Sequence, residues 1–86
     1  MPRYRYALDE GAVTAMLVLN DHEIGQLLAA IEAVANNPHA KPDSYSLDRQ
    51  GRPLANVATG RFLIGYWPDH RARTVQVFRI DPLEPE

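Results

Sequence analysis

The stretch 60–80, GRFLIGYWPDHRARTVQVFRI, decides the architecture of this chain. Two runs rich in β-branched and aromatic residues, Phe62–Trp67 and Thr74–Ile80, flank a short polar segment that opens with Pro68-Asp69. Proline fixes φ and is not expected to extend the first strand, while the Asp69 carboxylate can bond to the backbone just ahead of it. The pattern predicts a β-hairpin. Because the hairpin comes last, behind helical sequence, it limits the order of elements. Its arginines also raise the question of which anion they meet.

Working outward, the 86 residues are expected to form one domain over 1–86, with no room for a second core. An apolar fraction of 45% and a charged fraction of 23% are those of a globular chain. Without cysteine there are no disulfides or thiolate metal ligands, which fits a reducing cytosol. The longest apolar run, Ala12–Leu19, falls short of the roughly 20 residues of a membrane span. Arg3 and Arg5 are followed by Asp9-Glu10 where a signal peptide would have its apolar core, so a cytoplasmic protein with no membrane association is expected.

Charge is unevenly distributed. Residues 1–40 carry −3, residues 41–79 carry +4, and Asp81, Glu84 and Glu86 add −3, for a net −2. A fold built from these parts would have a basic sheet side and an acidic helical side, and such a local field can orient a polyanion despite the net charge.

Arg3–Leu8 alternates in the manner of a half-buried strand. Asp9 is a candidate N-cap for a short helix over Glu10–Leu19, and the same apolar run also reads as a strand over Val13–Leu19. Asn20 or Asp21 caps a longer helix with the apolar stripe Ile24, Leu27, Leu28, Ile31, Val34 and Ala35, which ends at Asn37-Pro38. Ser44–Leu47 can be extended, Asp48-Arg49-Gln50-Gly51 reads as a turn, and Leu54–Val57 as a short strand entered from Pro53. The tail 81–86 is expected to fray. The fold class is α+β, in the order β-α-α-β-β-β, with two N-terminal helices on one face of a small antiparallel sheet.

This order and several of its words resemble the RelE/ParE superfamily of toxins from type II toxin–antitoxin modules, over nearly the whole chain. The carriers are Tyr4–Leu8, Asp9-Glu10-Gly11-Ala12, Leu27-Leu28-Ala29-Ala30-Ile31 with the Asn37-Pro38 stop, Gly51-Arg52, Gly60–Trp67 and Thr74–Ile80. The resemblance implies a cognate antitoxin as partner. It also implies one of two activities, cleavage of messenger RNA on the ribosome without a metal or other cofactor, or inhibition of DNA gyrase. In the cleaving members a 2′-hydroxyl attacks the adjacent phosphate, which requires positive charge and a proton-transfer group.

Two positions depart from that pattern. Leu63 stands where the family commonly has an arginine, and Asp81-Pro82-Leu83 stands where many cleaving relatives lead to a histidine or tyrosine. Arg61 would share the face of Leu63, displaced by about 7 Å along the strand. The candidate catalytic residues are therefore Arg61, Arg79, Tyr66 and His70, with Lys41, Arg49, Arg52, Arg71 and Arg73 as candidate nucleic-acid contacts. His22, His39 and His70 lack the spacing of a metal site, and none is expected. The expectation is a RelE/ParE-like toxin component with weak or absent ribonuclease activity. The alternatives are a non-catalytic protein-binding module on the same scaffold or a gyrase-type inhibitor.

Overall fold

In a computed structural model, which describes residues 3–83, the chain runs β1 (Arg5–Leu8), α1 (Glu10–Met16), α2 (Asp21–Asn36), β2 (Ser44–Leu47), β3 (Pro53–Thr59), β4 (Phe62–Asp69) and β5 (Thr74–Pro82). The strands form a five-stranded sheet in the order β1-β5-β4-β3-β2. The expected α+β class and the helix pair are present. The sheet has one strand more than expected, since Ser44–Leu47 and Pro53–Thr59 are separate strands joined at the turn after Leu47.

The sheet is antiparallel from β2 to β5, but β1 lies parallel to β5, with Arg5 opposite Thr74 and Leu8 opposite Val77. A parallel neighbour requires a crossover, and α1 and α2 supply part of it. Where β1 ends, the Asp9 N–H still donates to the Val77 carbonyl (2.8 Å), and α1 continues along the β5 edge. A β-carbon on Gly11 would lie 3.3 Å from the Phe78 carbonyl oxygen, so the glycine permits this close approach.

The apolar run at 12–19 resolves as helix, but a shorter one than expected, ending at Met16 with a turn through Leu19. Asp9 holds the N-cap position without a side-chain bond. Asn20 caps α2 in full: its Oδ1 accepts from the Glu23 N–H (2.8 Å), and the Glu23 carboxylate accepts from the Asn20 N–H (3.0 Å). The stripe of α2 buries Leu27, Ile31 and Ala35 with Ala12 of α1 against Ala55, Phe62, Ile64, Tyr66, Val75, Val77 and Ile80.

Two expectations at the hairpin need correction. Pro68 lies inside β4, opposite Val75. The β3–β4 pairing stops at Ala55–Tyr66, so the proline sits where the strand is paired only with β5 and its missing N–H breaks no ladder on the other side. The tail does not fray at 81, because Asp81 pairs with Leu63 and Pro82 with Phe62, and the Leu83 N–H donates to the Arg61 carbonyl. The end of the expected frayed segment, 84–86, lies outside the described residues.

The β2–β3 turn is built around Asp48. Its Oδ1 accepts from the N–H groups of Gln50 (2.8 Å) and Arg52 (2.9 Å), and its Oδ2 accepts from the Arg52 guanidinium (2.7 Å). Gly51 takes the positive φ of 79° that the turn requires. The Arg52 backbone N–H, followed by its guanidinium and the Gln50 N–H, holds the Asp48 carboxyl below its ordinary 3.8, against a smaller opposing effect of desolvation.

Two outcomes are expected. Asn20→Ala should lower stability by about 0.5–2 kcal/mol in urea unfolding through loss of the α2 cap. Asp48 favours its ionised form when folded, so its contribution is present above its ordinary value and is lost as pH falls through the lower folded value. Asp48→Asn should therefore flatten the acid limb of a stability-against-pH curve below 3.8. An unchanged limb would show that the turn is not acid-sensitive.

Candidate functional site

The core takes one face of the sheet. By strand alternation the opposite face carries Leu54 and Asn56 of β3, Leu63, Gly65 and Trp67 of β4, and Gln76, Arg79 and Asp81 of β5. A bulge interrupts the β4–β5 ladder here: Gly65 pairs with Arg79 and Tyr66 with Val77, leaving Phe78 without a partner. The extra residue allows the consecutive side chains of Phe78 and Arg79 to line one cleft. Gly65 keeps its floor low. A β-carbon there would meet the Arg79 β-carbon at 3.2 Å and the Asn56 Oδ1 at 3.4 Å.

This cleft, of about 810 Å³, is bounded by α1, by the β2–β3 turn with Arg49 and Arg52, and by Arg79 and Asp81. Arg52 lies over the Phe78 ring with its guanidinium carbon 5.0 Å from the centroid. Asn56, buried behind it, donates to Ser46 Oγ (3.0 Å). The positive charge of the cleft is largely satisfied internally. Arg79 is ion-paired with Asp81 on its own strand, and Arg52 with Asp48. Asp81 also lies directly across from Leu63. The two positions that depart from the toxin pattern are thus cross-strand partners beside Arg79.

The remaining candidates lie elsewhere. Arg61 is not on the strand face; it occupies the two-residue turn between Thr59 and Phe62, next to Gly60 with φ 56°. Tight turns of this kind favour glycine at positive φ, and their side chains leave the ladder. Tyr66 points into the core face, and burial, followed by the nearby Tyr45 and Asp43, raises its phenol above the ordinary 10.0, so it holds its proton at neutral pH. His70, Arg71 and Arg73 form the β4–β5 turn with Ala72, where Asp69 Oδ1 accepts from the N–H groups of Arg71 and Ala72 (3.1 Å each) and Arg73 adopts φ 51°. Lys41 is in the loop after α2, near that turn.

The candidates therefore separate into two groups. Arg49, Arg52 and Arg79 share the open-face cleft, whereas Lys41, Tyr66, His70 and Arg71 share a second cleft on the helix-bearing face. Sequence reasoning missed two members of the second group. Tyr4 and His39 join His70 in an aromatic cluster: the two imidazoles stack at 4.6 Å and 4° apart, and the Tyr4 hydroxyl lies 2.8 Å from His70 Nδ1. Their separation in sequence left no spacing signal. Among the described residues, no group of three or more His, Cys, Asp or Glu side chains is placed to hold a metal ion.

No protein-family model matches this sequence, and comparison of the sequence with curated proteins gives no match. Solved structures do. The RelE–RelB complex of the archaeon Pyrococcus horikoshii includes a chain that superposes with a TM-score of 0.72 at 12% identity, covering 99% of this chain and 100% of that one. The toxin–antitoxin complex RelBE2 of Mycobacterium tuberculosis gives a TM-score of 0.74 at 17% identity, with coverages of 94% and 99%. The isolated Escherichia coli RelE toxin gives 0.69 at 16% identity, with coverages of 96% and 87%. With its β1–β5 pairing, its helix pair and its bare sheet face, this chain has the RelE-like fold.

Proposed function

We propose that the chain is a RelE-like toxin component of a type II toxin–antitoxin module, cytoplasmic, held by an antitoxin, and weak or inactive as a ribonuclease. Support for the toxin family comes from a fold shared end to end with proteins whose structures are described as RelE toxins and RelE–RelB complexes. The observation that carries the weak-activity reading is the Arg79–Asp81 ion pair in the open-face cleft. Cleavage by a 2′-hydroxyl needs a cation on the scissile phosphate and a group to move the proton. At this cleft the best-placed cation already has a carboxylate, Arg52 has another, and Leu63 supplies neither charge nor proton.

An antitoxin partner is also consistent with the exposed apolar side chains of Val13 in α1 and of Leu17 and Val18 just after it, the last two 79% and 85% exposed. Contiguous exposed apolar residues mark surfaces that another protein covers. The same ion pairs favour a second reading, a non-catalytic binding module on this scaffold.

Expression of the chain in a bacterial host should slow growth only slightly, and a small protein encoded next to it should co-purify. Strong arrest with ribosome-dependent transcript cleavage, abolished by Arg79→Ala, would overturn the weak-activity reading. Failure of the neighbouring product to bind would remove the antitoxin. Asp81→Asn should free Arg79 and tighten binding of a short single-stranded RNA by about two- to fivefold, the range of an exposed ion pair. Asp21→Asn, which removes the same charge at the start of α2, should not reproduce the gain.

A further inference from the structure

We propose that the cleft between the 38–42 loop, the edge strand β2 and the β4–β5 turn binds a nucleoside monophosphate group, with the phosphate against His39, Lys41, His70 and Arg71 and the base against Tyr45. The cleft measures about 720 Å³, within the ordinary range of small-molecule sites of roughly 300–1,000 Å³. It lies on the helix-bearing face, since Tyr45, Ala55 and Tyr66 are cross-strand partners on that side. It is therefore separate from the open-face cleft at Arg79, and the inference goes beyond the toxin reading.

The charge around it is what an anion requires. Lys41 and Arg71 take part in no ion pair among the described residues. Among the described residues Asp69 is the one acid lining the cleft, and its Oδ1 is engaged by the backbone N–H groups of Arg71 and Ala72. Asp43, close enough to Tyr66 to help raise its phenol, is engaged by the Ala58 N–H (2.7 Å). From β1, Tyr4 places its hydroxyl on His70 Nδ1, and Arg5 is tied to the turn through the Arg73 carbonyl (3.0 Å). Tyr66 forms part of the wall as a neutral phenol, and Tyr45, 64% exposed on β2, offers a ring face to a base.

The two imidazoles stack 4.6 Å apart at one end of the cleft, and the Tyr4 hydroxyl lies 2.8 Å from His70 Nδ1. In the tautomer where that hydroxyl donates, His70 Nε2 carries a proton and donates to the phosphate from there.

Binding is read by the heat of mixing in isothermal titration calorimetry. Titration of the full chain with adenosine monophosphate should saturate. Adenosine and inorganic phosphate should each bind about tenfold or more weakly, since each lacks half of the contacts. His70→Asn and Lys41→Ala, both at exposed positions, should each weaken binding by about three- to tenfold with unchanged thermal melting. A short RNA bearing a 5′-phosphate that binds tighter than the mononucleotide identifies a strand end as the source of the group, and equal or weaker binding identifies the free nucleotide. No saturation, equal affinity in the Lys41→Ala/His70→Asn double variant, or equal binding of the RNA without its phosphate would overturn the proposal.

Discussion

The parallel pairing of β1 with β5 is the constraint on which the rest of the structure depends. It joins Arg5 to Thr74 and Leu8 to Val77, positions from opposite ends of the chain. Parallel neighbours cannot be joined by a tight turn, so everything between them must leave the sheet and return. The two helices absorb part of that path, and in doing so they cover the face that carries Val75, Val77 and Ile80. Because β1 is only four residues long, the second half of β5 would be a bare edge without α1 beside it. Gly11 permits that contact, and the Asp9 N–H extends the β1 pairing by one bond before the helix begins.

The same pairing places the chemistry. With β5 held between β1 and β4, a single bulge at Phe78 shifts which residues of the last strand face outward. Arg79 and Asp81 then share the open face, close enough for an ion pair, and Asp81 faces Leu63 across the ladder. An exposed pair of this kind contributes little to stability, roughly 0–1 kcal/mol. Its larger effect is electrostatic, since a guanidinium with a carboxylate beside it presents little net charge to a phosphate. At the other end of the sheet, the short β4–β5 turn carries His70 to the start of β1 and the end of α2, where Tyr4 and His39 wait.

What could be read in advance follows from the range of the interactions involved. The α2 stripe, its cap at Asn20 and its Asn37-Pro38 end are local signals, and all are present in the structure. The 60–80 hairpin was legible for the same reason, except that Pro68 looked like a stop. Whether a proline ends a strand depends on which neighbour its missing N–H faces, and that is a property of the sheet and not of the segment. The parallel partner of β1, the bulge at Phe78 and the Tyr4–His39–His70 cluster each join distant residues, and periodicity does not carry such information. Arg61 shows the limit at finer scale. Strand alternation would have set it on the face of Leu63, but the chain turns at Gly60-Arg61, one residue before the ladder starts.

The uneven charge along the sequence acquires a sharper meaning once the two faces are separated. The +4 of residues 41–79 does not form one basic surface. Part of it, Arg52 and Arg79, is paired with acids on the open face. Another part, Lys41 and Arg71, takes part in no ion pair among the described residues and lies on the other side, beside two stacked imidazoles and an exposed tyrosine. Since local charge and not net charge governs the approach of an anion, the proposed anion site falls on the helix-bearing face. A RelE-like fold thus carries two paired arginines, Arg52 and Arg79, on its open face and a cationic cleft at the hairpin turn. A ligand drawn to that cleft would be recognised through the one part of the fold where the first strand, the long helix and the last hairpin all meet.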